Sequence, residues 1–164
     1  MTPQILLTGG AGFIGSAIVH GLNQEGREGI IVSDFLGTGD KFRNLVPLRF
    51  DDYLEADALL AAVQRDDRLL AGVETVFHLG ACSSTTETDN RYLIQNNYEY
   101  TKTLAAWALK RGARFVYASS AATYGDGSAG MADNAPLQPL RPLNMYGYSK
   151  HLFDLHANRR GWLQ

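Results

Sequence analysis

The sequence predicts an α/β fold, a doubly wound parallel sheet with helices on both faces, and three observations carry that expectation. Short apolar runs alternate with longer amphipathic stretches along the chain. The first such pair is joined by a glycine-rich turn, "TGGAGFIG" (8–15). An acid, Asp34, closes the second apolar run.

Strands are expected at 4–8 ("QILLT"), 29–34 ("GIIVSD"), a short 45–50 ("LVPLRF"), 73–79 ("VETVFHL") and 114–119 ("RFVYAS"). Helices are expected at 12–24, 55–65, 89–111 and 143–160. In 89–111, Leu93, Tyr100, Leu104 and Trp107 recur at helical intervals, an apolar stripe for the sheet. Asn96 falls on that stripe, and a buried amide must find partners, which makes it a structural or cofactor-ordering residue. Its neighbour Asn97 is expected to be less constrained. The stretch 125–142 is Gly/Pro-rich and long, hence functional or mobile. Helical character persists to the end of "SKHLFDLHANRRGWLQ", where a sixth strand and a substrate-holding region would normally follow. Residues 1–164 are therefore expected to form one dinucleotide-binding domain, truncated before a substrate domain beyond Gln164.

Composition narrows the partners. A chain of 164 residues can bury roughly 68–70% of its unfolded surface. A net charge of −2, without a basic run, gives no reason to expect nucleic acid. The single cysteine, Cys82, excludes an internal disulfide and fits a reducing cytoplasm. "MTPQILLTGG" lacks a signal peptide's basic and apolar regions, and no apolar run approaches the roughly eighteen residues of a membrane span. No metal site is expected.

The glycine turn asks for a ligand. Gly10-Ala-Gly12-Phe-Ile-Gly15 satisfies the dinucleotide fingerprint, and Gly9, Gly12 and Gly15 satisfy a GxxGxxG variant. Both give a tight turn and a backbone that approaches pyrophosphate closely, with the anion on the free N–H groups at the helix N-terminus. Asp34, about twenty residues on, is placed for ribose hydroxyls and favours NAD by repelling a 2′-phosphate. Lys41 could neutralise such a phosphate if its loop folds back, although the spacing by itself reads as a solvated lysine.

The fourth strand turns polar at its carboxyl edge, in "HLGACSSTTETD". Gly80, Ala81 and Cys82 let a flat ring approach, and Ser83 to Thr86 offer hydroxyls to a polyhydroxylated partner. His78 reads as a satisfied core histidine and Cys82 as a small packed residue. In "LNMYGYSK", Tyr146 and Lys150 are four apart and share a helix face, while Tyr148 points elsewhere. A nearby ammonium favours phenolate, and moving a phenol from about 10 to about 7 takes roughly 4 kcal/mol, part of which an oxidised nicotinamide could supply. Tyr146 would then be the acid/base for an alcohol oriented by Ser120, beside Ser119 at the end of the fifth strand, with Lys150 holding the ribose.

Through TGGAGFIG (8–15), SSAATYG (119–125) and YGYSK (146–150) the sequence resembles the extended short-chain dehydrogenase/reductase family, with its Rossmann-type domain and NAD-dependent epimerases and dehydratases. "GACSSTTETD" (80–89), "NNYEYTK" (96–102) and "LNMYGYSKHLFD" (143–154) resemble its ADP-heptose 6-epimerase branch. The resemblance implies NADP as cofactor, with NAD as the alternative, an ADP-heptose substrate and a homo-oligomer, possibly pentameric. It implies that Phe13 and Ile14 meet the pyrophosphate, and Asp34, Phe35 and Lys41 the adenosine end. Leu79, Gly80, Ala81, Cys82, Ser83, Asn96 and Lys150 would line the cofactor, with Tyr146 as proton acceptor. A lysine of these enzymes after the third strand is Ala56 here, and Phe35 stands where a polar side chain is expected. Their second acid/base would lie beyond Gln164, so this stretch alone should bind cofactor at best.

A 4,6-dehydratase needs an Asp-Glu pair where Ala121 and Ala122 stand. A 4-epimerase would share the residues above, but "ACSSTTE" argues against it. A non-catalytic redox-sensing module has no use for Ser120, Tyr146 and Lys150 together.

Overall fold

The computed structural model describes residues 4–163. Five parallel strands, β1 (Ile5–Thr8), β2 (Ile30–Asp34), β3 (Asp52–Glu55), β4 (Thr75–His78) and β5 (Arg114–Tyr117), form one sheet in the order β3-β2-β1-β4-β5. Every residue of β1 and β2 is buried, as continuous Ile/Leu/Val runs require at the centre of a parallel sheet. The edge strands β3 and β5 expose part of their side chains. Strand order reverses between β1 and β4, and there Thr8 and His78 lie side by side at the carboxyl ends, the place where open α/β sheets bind ligands.

Two compact units are formed. One runs to Gly80 and resumes at Leu104–Tyr117; the other comprises Ala81–Thr103 and the chain from Ala118 on. The first unit contains the sheet and the helices α1 (Phe13–Gln24) and α2 (Ala56–Gln64). Its core gathers Ile5, Leu7, Ala11, Val19, Ile30, Val32 and Leu45, each larger aliphatic worth about 1.5–3 kcal/mol of burial.

The expected strand at 45–50 is not a strand; β3 begins at Asp52, two residues past that run. Pro47 lacks the N–H a ladder needs. Leu48 N–H instead closes a turn on Leu45 O, and Leu45, Leu48 and Phe50 are spent on the core. Asn23 fixes this loop, exchanging hydrogen bonds with the N–H and carbonyl of Arg49 at 2.8 Å each. The shorter β3 sits at the sheet edge, where polar residues such as Asp52 and Glu55 cost little.

In the second unit, α3 (Asn90–Leu93) runs into a π-helical stretch, Ile94–Glu99, and then into α4 (Tyr100–Lys110), whose last residues belong to the first unit. Sequence spacing treats this as one α-helix. Leu93, Leu104 and Trp107 of the expected stripe are buried, and the wider i→i+5 turn adds Asn97, Thr101, Ala105 and Ala108 to that face. Tyr100 is only half-buried, and so is Asn96, whose Nδ2 bonds the Tyr92 carbonyl at 3.2 Å. The expectation of a buried Asn96 and a freer Asn97 is thus reversed.

After β5 come a 3-10 turn, Ala121–Tyr124, and α5 (Met145–Arg159), capped by Asn144, whose Oδ1 accepts the Gly147 N–H at 2.8 Å. Between them, 125–142 has no regular element but is tied down. Tyr124 donates to Asp133, and Gly125 (φ 67°) would put a Cβ 2.0 Å from the Arg141 carbonyl oxygen. Among the described residues no helix is long and apolar enough to cross a membrane.

Candidate active site

The first unit holds a backbone cradle. Gly9 follows β1 with φ +72°, and a Cβ there would lie 2.7 Å from the Gly80 amide nitrogen. A Cβ on Gly15 would stand 2.1 Å from the Gly9 carbonyl oxygen. Backbone meets backbone at both points, so neither can yield cheaply. Of the two overlapping glycine patterns, Gly9-x-x-Gly12-x-x-Gly15 is therefore the one whose ends the packing enforces. Gly12 caps α1 without a side chain, and the first turn carries no acid. The opening N–H groups of a helix have no partner within it, so the end is suited to an anion. Phe13 and Ile14 lie there, 89% and 60% exposed.

A cross-tie steadies the cradle. Thr8 Oγ1 accepts the Gly80 N–H at 3.1 Å and is 2.6 Å from His78 Nδ1. His78 is buried and stacks on Phe115, the core histidine the sequence suggests.

Asp34 spends its carboxylate inside the fold. Its Oδ2 accepts the Ala11 N–H at 2.8 Å, and its Oδ1 accepts the Phe35 N–H at 2.7 Å and the Lys41 ammonium. Three of about four acceptor positions are used. The loop does fold back: Lys41 also reaches the Phe35 carbonyl, and Asn44 Nδ2 bonds Ala11 O at 2.8 Å. Lys41, its side chain 39% exposed, is thus ion-paired with a buried acid. Phe35 stays 68% exposed. Tyr53 donates to the Asp34 carbonyl, its phenol pushed far up by burial and then by the hydrogen bond and charge of Glu55. Ala56 opens α2.

Leu79 and Gly80 close the first unit, and Ala81, Cys82 and Ser83 open the second. Here the structure adds a residue that sequence reasoning passed over. Asn97, fully buried, accepts the Cys82 N–H on Oδ1 and donates from Nδ2 to Cys82 O, both at 2.9 Å. The same amide donates to Ser149 Oγ at 3.0 Å, and Ser149 donates to Tyr146 O at 2.7 Å. One side chain thereby holds the loop at Cys82 and the helix carrying Tyr146. The available signal was the Asn-Asn pair; α-helical spacing picks the wrong member.

Ser120 begins the 3-10 turn, its Oγ accepting the Ala122 N–H at 3.2 Å. Gly147 lets α5 approach this turn, since a Cβ on it would lie 2.7 Å from the Ala122 carbonyl oxygen. Tyr146 is half-buried, whereas Tyr148 is 45% exposed. Lys150, 5% exposed, donates from Nζ to Ala118 O at 3.0 Å. Burial lowers its pKa from 10.5 to about 8, with the Asp154 charge pulling the other way. Because the folded value lies below that of the free side chain, the buried ammonium costs stability up to about pH 8, a cost relieved as pH rises toward 10.5.

The family model for the NAD dependent epimerase/dehydratase family matches residues 5–160. An ADP-L-glycero-D-manno-heptose-6-epimerase of Nitratidesulfovibrio vulgaris (strain DP4) is 52% identical over 159 residues, covering 96% of this chain and 49% of its own. Among solved structures, the Helicobacter pylori ADP-L-glycero-D-manno-heptose-6-epimerase aligns at TM-score 0.77 and 28% identity, over 97% of this chain and 51% of that one. UDP-glucuronic acid 4-epimerase from Bacillus cereus, solved in complex with NAD, aligns at TM-score 0.77 and 26% identity, over 96% and 52%. The chain spans about half the length of the curated relatives it matches. With the match unbroken from the first strand into the last helix, the chain belongs to the NAD dependent epimerase/dehydratase family.

Proposed function

We propose that the chain carries the cofactor-holding and proton-transferring half of an NADP-dependent enzyme that inverts C6 of ADP-D-glycero-D-manno-heptose, giving the L-glycero epimer through a transient 6-ketone. The product class belongs to lipopolysaccharide core synthesis, a cytoplasmic setting. The observation that carries the reading is the second unit's arrangement. Ser120 starts a turn packed on α5, and Tyr146 and Lys150 stand one turn apart on that helix. The 52% identity to a heptose epimerase supports the substrate.

The residues present fit a dinucleotide. The glycine cradle has no room for a Cβ at Gly9 or Gly15, and its helix end lacks a competing acid. In this reading Gly9, Gly12, Phe13, Ile14 and Gly15 take the pyrophosphate, and Asp34, Phe35 and Lys41 the adenosine end. Leu79 to Ser83, Asn96 and Lys150 line the rest. A bound nicotinamide would supply hydride exchange with the sugar carbon. Tyr146 takes the proton of the C6 hydroxyl, Ser120 orients that oxygen, and Lys150 holds the ribose. The second acid/base is assigned to the part of the relatives that this chain does not span, and the resemblance to these epimerases suggests a homo-oligomer.

Incubating the full-length protein with ADP-D-glycero-D-manno-heptose, and separating the epimers, tests the reading. Conversion to the L-glycero form is expected. No conversion, with turnover of a UDP-hexose instead, would reassign the enzyme as a 4-epimerase.

Two further results are expected. Lys41→Ala exposes the Asp34 charge and should weaken NADP about tenfold, roughly 1.4 kcal/mol, while NAD changes less; equal losses measured by calorimetry would remove the phosphate role. Gly15→Ala must push the Gly9 carbonyl out of the cradle. Either cofactor should then bind at least about tenfold more weakly, and unchanged affinity would place the dinucleotide elsewhere.

A further inference from the structure

Two side chains of α5, one helical turn apart, grip the two residues that precede Ser120. Lys150 donates to the Ala118 carbonyl at 3.0 Å, and Asp154 Oδ2 accepts from Ser119 Oγ at 2.7 Å. Both gripping residues are 5% exposed. The two stand at i and i+4, where side chains of one helix are neighbours and opposite charges attract. Resting on the reading of Ser120, Tyr146 and Lys150 given above, we propose that Asp154 is a positioning residue. Its carboxylate fixes Ser119, and with it the start of the Ser120 turn, against the helix of Tyr146 and keeps Lys150 in its ammonium form.

The electrostatics agree with the geometry. Burial draws Lys150 down and Asp154 opposes it. Other charged and titratable groups surround the helix. Arg141, from the segment before α5, acts with Asp154 on His151. Tyr124, on the 3-10 turn, is raised first by its hydrogen bond to Asp133 and also by Asp154. Glu99 and Lys102, from the π stretch and α4, act with Arg159 and Arg160 on His156. The charge that raises Lys150 is that of Asp154. If the ammonium holds ribose, cofactor affinity is full below the Lys150 pKa and falls as pH rises through about 8. Removing the Asp154 charge must bring that fall to lower pH.

The test is a calorimetric titration of the full-length protein with NADPH from about pH 6 to about pH 10. Asp154→Asn and Asp154→Ser, two neutral variants that pack differently, should move the midpoint of the affinity loss down by about one unit. Asp154→Glu should restore it. Ser119→Ala keeps the carboxylate and should leave the midpoint within about a third of a unit of wild type. An unshifted midpoint in both neutral variants overturns the proposal, whatever happens to their unfolding temperatures. A Ser119→Ala shift as large as theirs overturns it too, because packing would then explain the effect. A wild type inactive on ADP-heptose would sink the epimerase reading alone, since these midpoints are read from binding.

Discussion

Tyr146→Phe is expected to lower epimerisation by about 10²–10⁴-fold, the usual contribution of a positioned acid/base. The dissociation constant for cofactor should stay within about twofold, because the change removes one hydroxyl and keeps a half-buried ring in place. Ser149 ties α5 to Asn97 and donates from Oγ to the Tyr146 carbonyl, and the substitution touches neither bond. The loss should therefore fall on kcat rather than on stability or on binding. Steady-state rates and calorimetry on the same preparation separate these. Turnover near wild type would remove Tyr146 from the chemistry and leave a dinucleotide holder.

The second large effect is expected at Asn97. Asn97→Ala strips the Cys82 N–H and carbonyl of their partners and leaves Ser149 Oγ without its donor. A buried polar group left unpaired costs about 1–3 kcal/mol, so a loss of about 3–5 kcal/mol in denaturant unfolding is expected, a large share of a domain's stability. Asn97→Asp separates the amide's acceptor role from its donor role. It keeps an acceptor for the Cys82 N–H and loses the donors to Cys82 O and Ser149. A smaller loss at Asn97 than at the half-buried Asn96, with Asn96→Ala costing more, would contradict the π-helical register.

The parts of the fold that were legible are those where one residue type has one physical use. Short aliphatic runs bounded by turn residues suit central parallel strands, and β1 and β2 lie within a residue of their expected limits. Glycines that meet backbone leave no alternative residue, which is why the cradle could be placed from spacing. The hidden parts depend on contacts distant in sequence. Asp34 looks by spacing like a free ribose ligand, yet Ala11, Phe35 and Lys41 bond its carboxylate, from positions up to 23 residues away. Leu45, Leu48 and Phe50 look like a strand by content, and only the turn at Pro47 and the Asn23 clamp show that they serve the core. The swap of Asn96 for Asn97 has a different origin: hydrophobic periodicity presumes a constant pitch, and this helix changes pitch midway.

That change of pitch means the helix holds a spare residue. Deleting one position within 94–96 would restore ordinary winding and rotate the upstream turns by about 100° relative to the downstream ones. Asparagines stand in tandem at the seam, so an alignment sliding by a single column still finds an amide to pair with Cys82. Comparisons among related chains can therefore look faultless letter by letter while pointing to the wrong side chain.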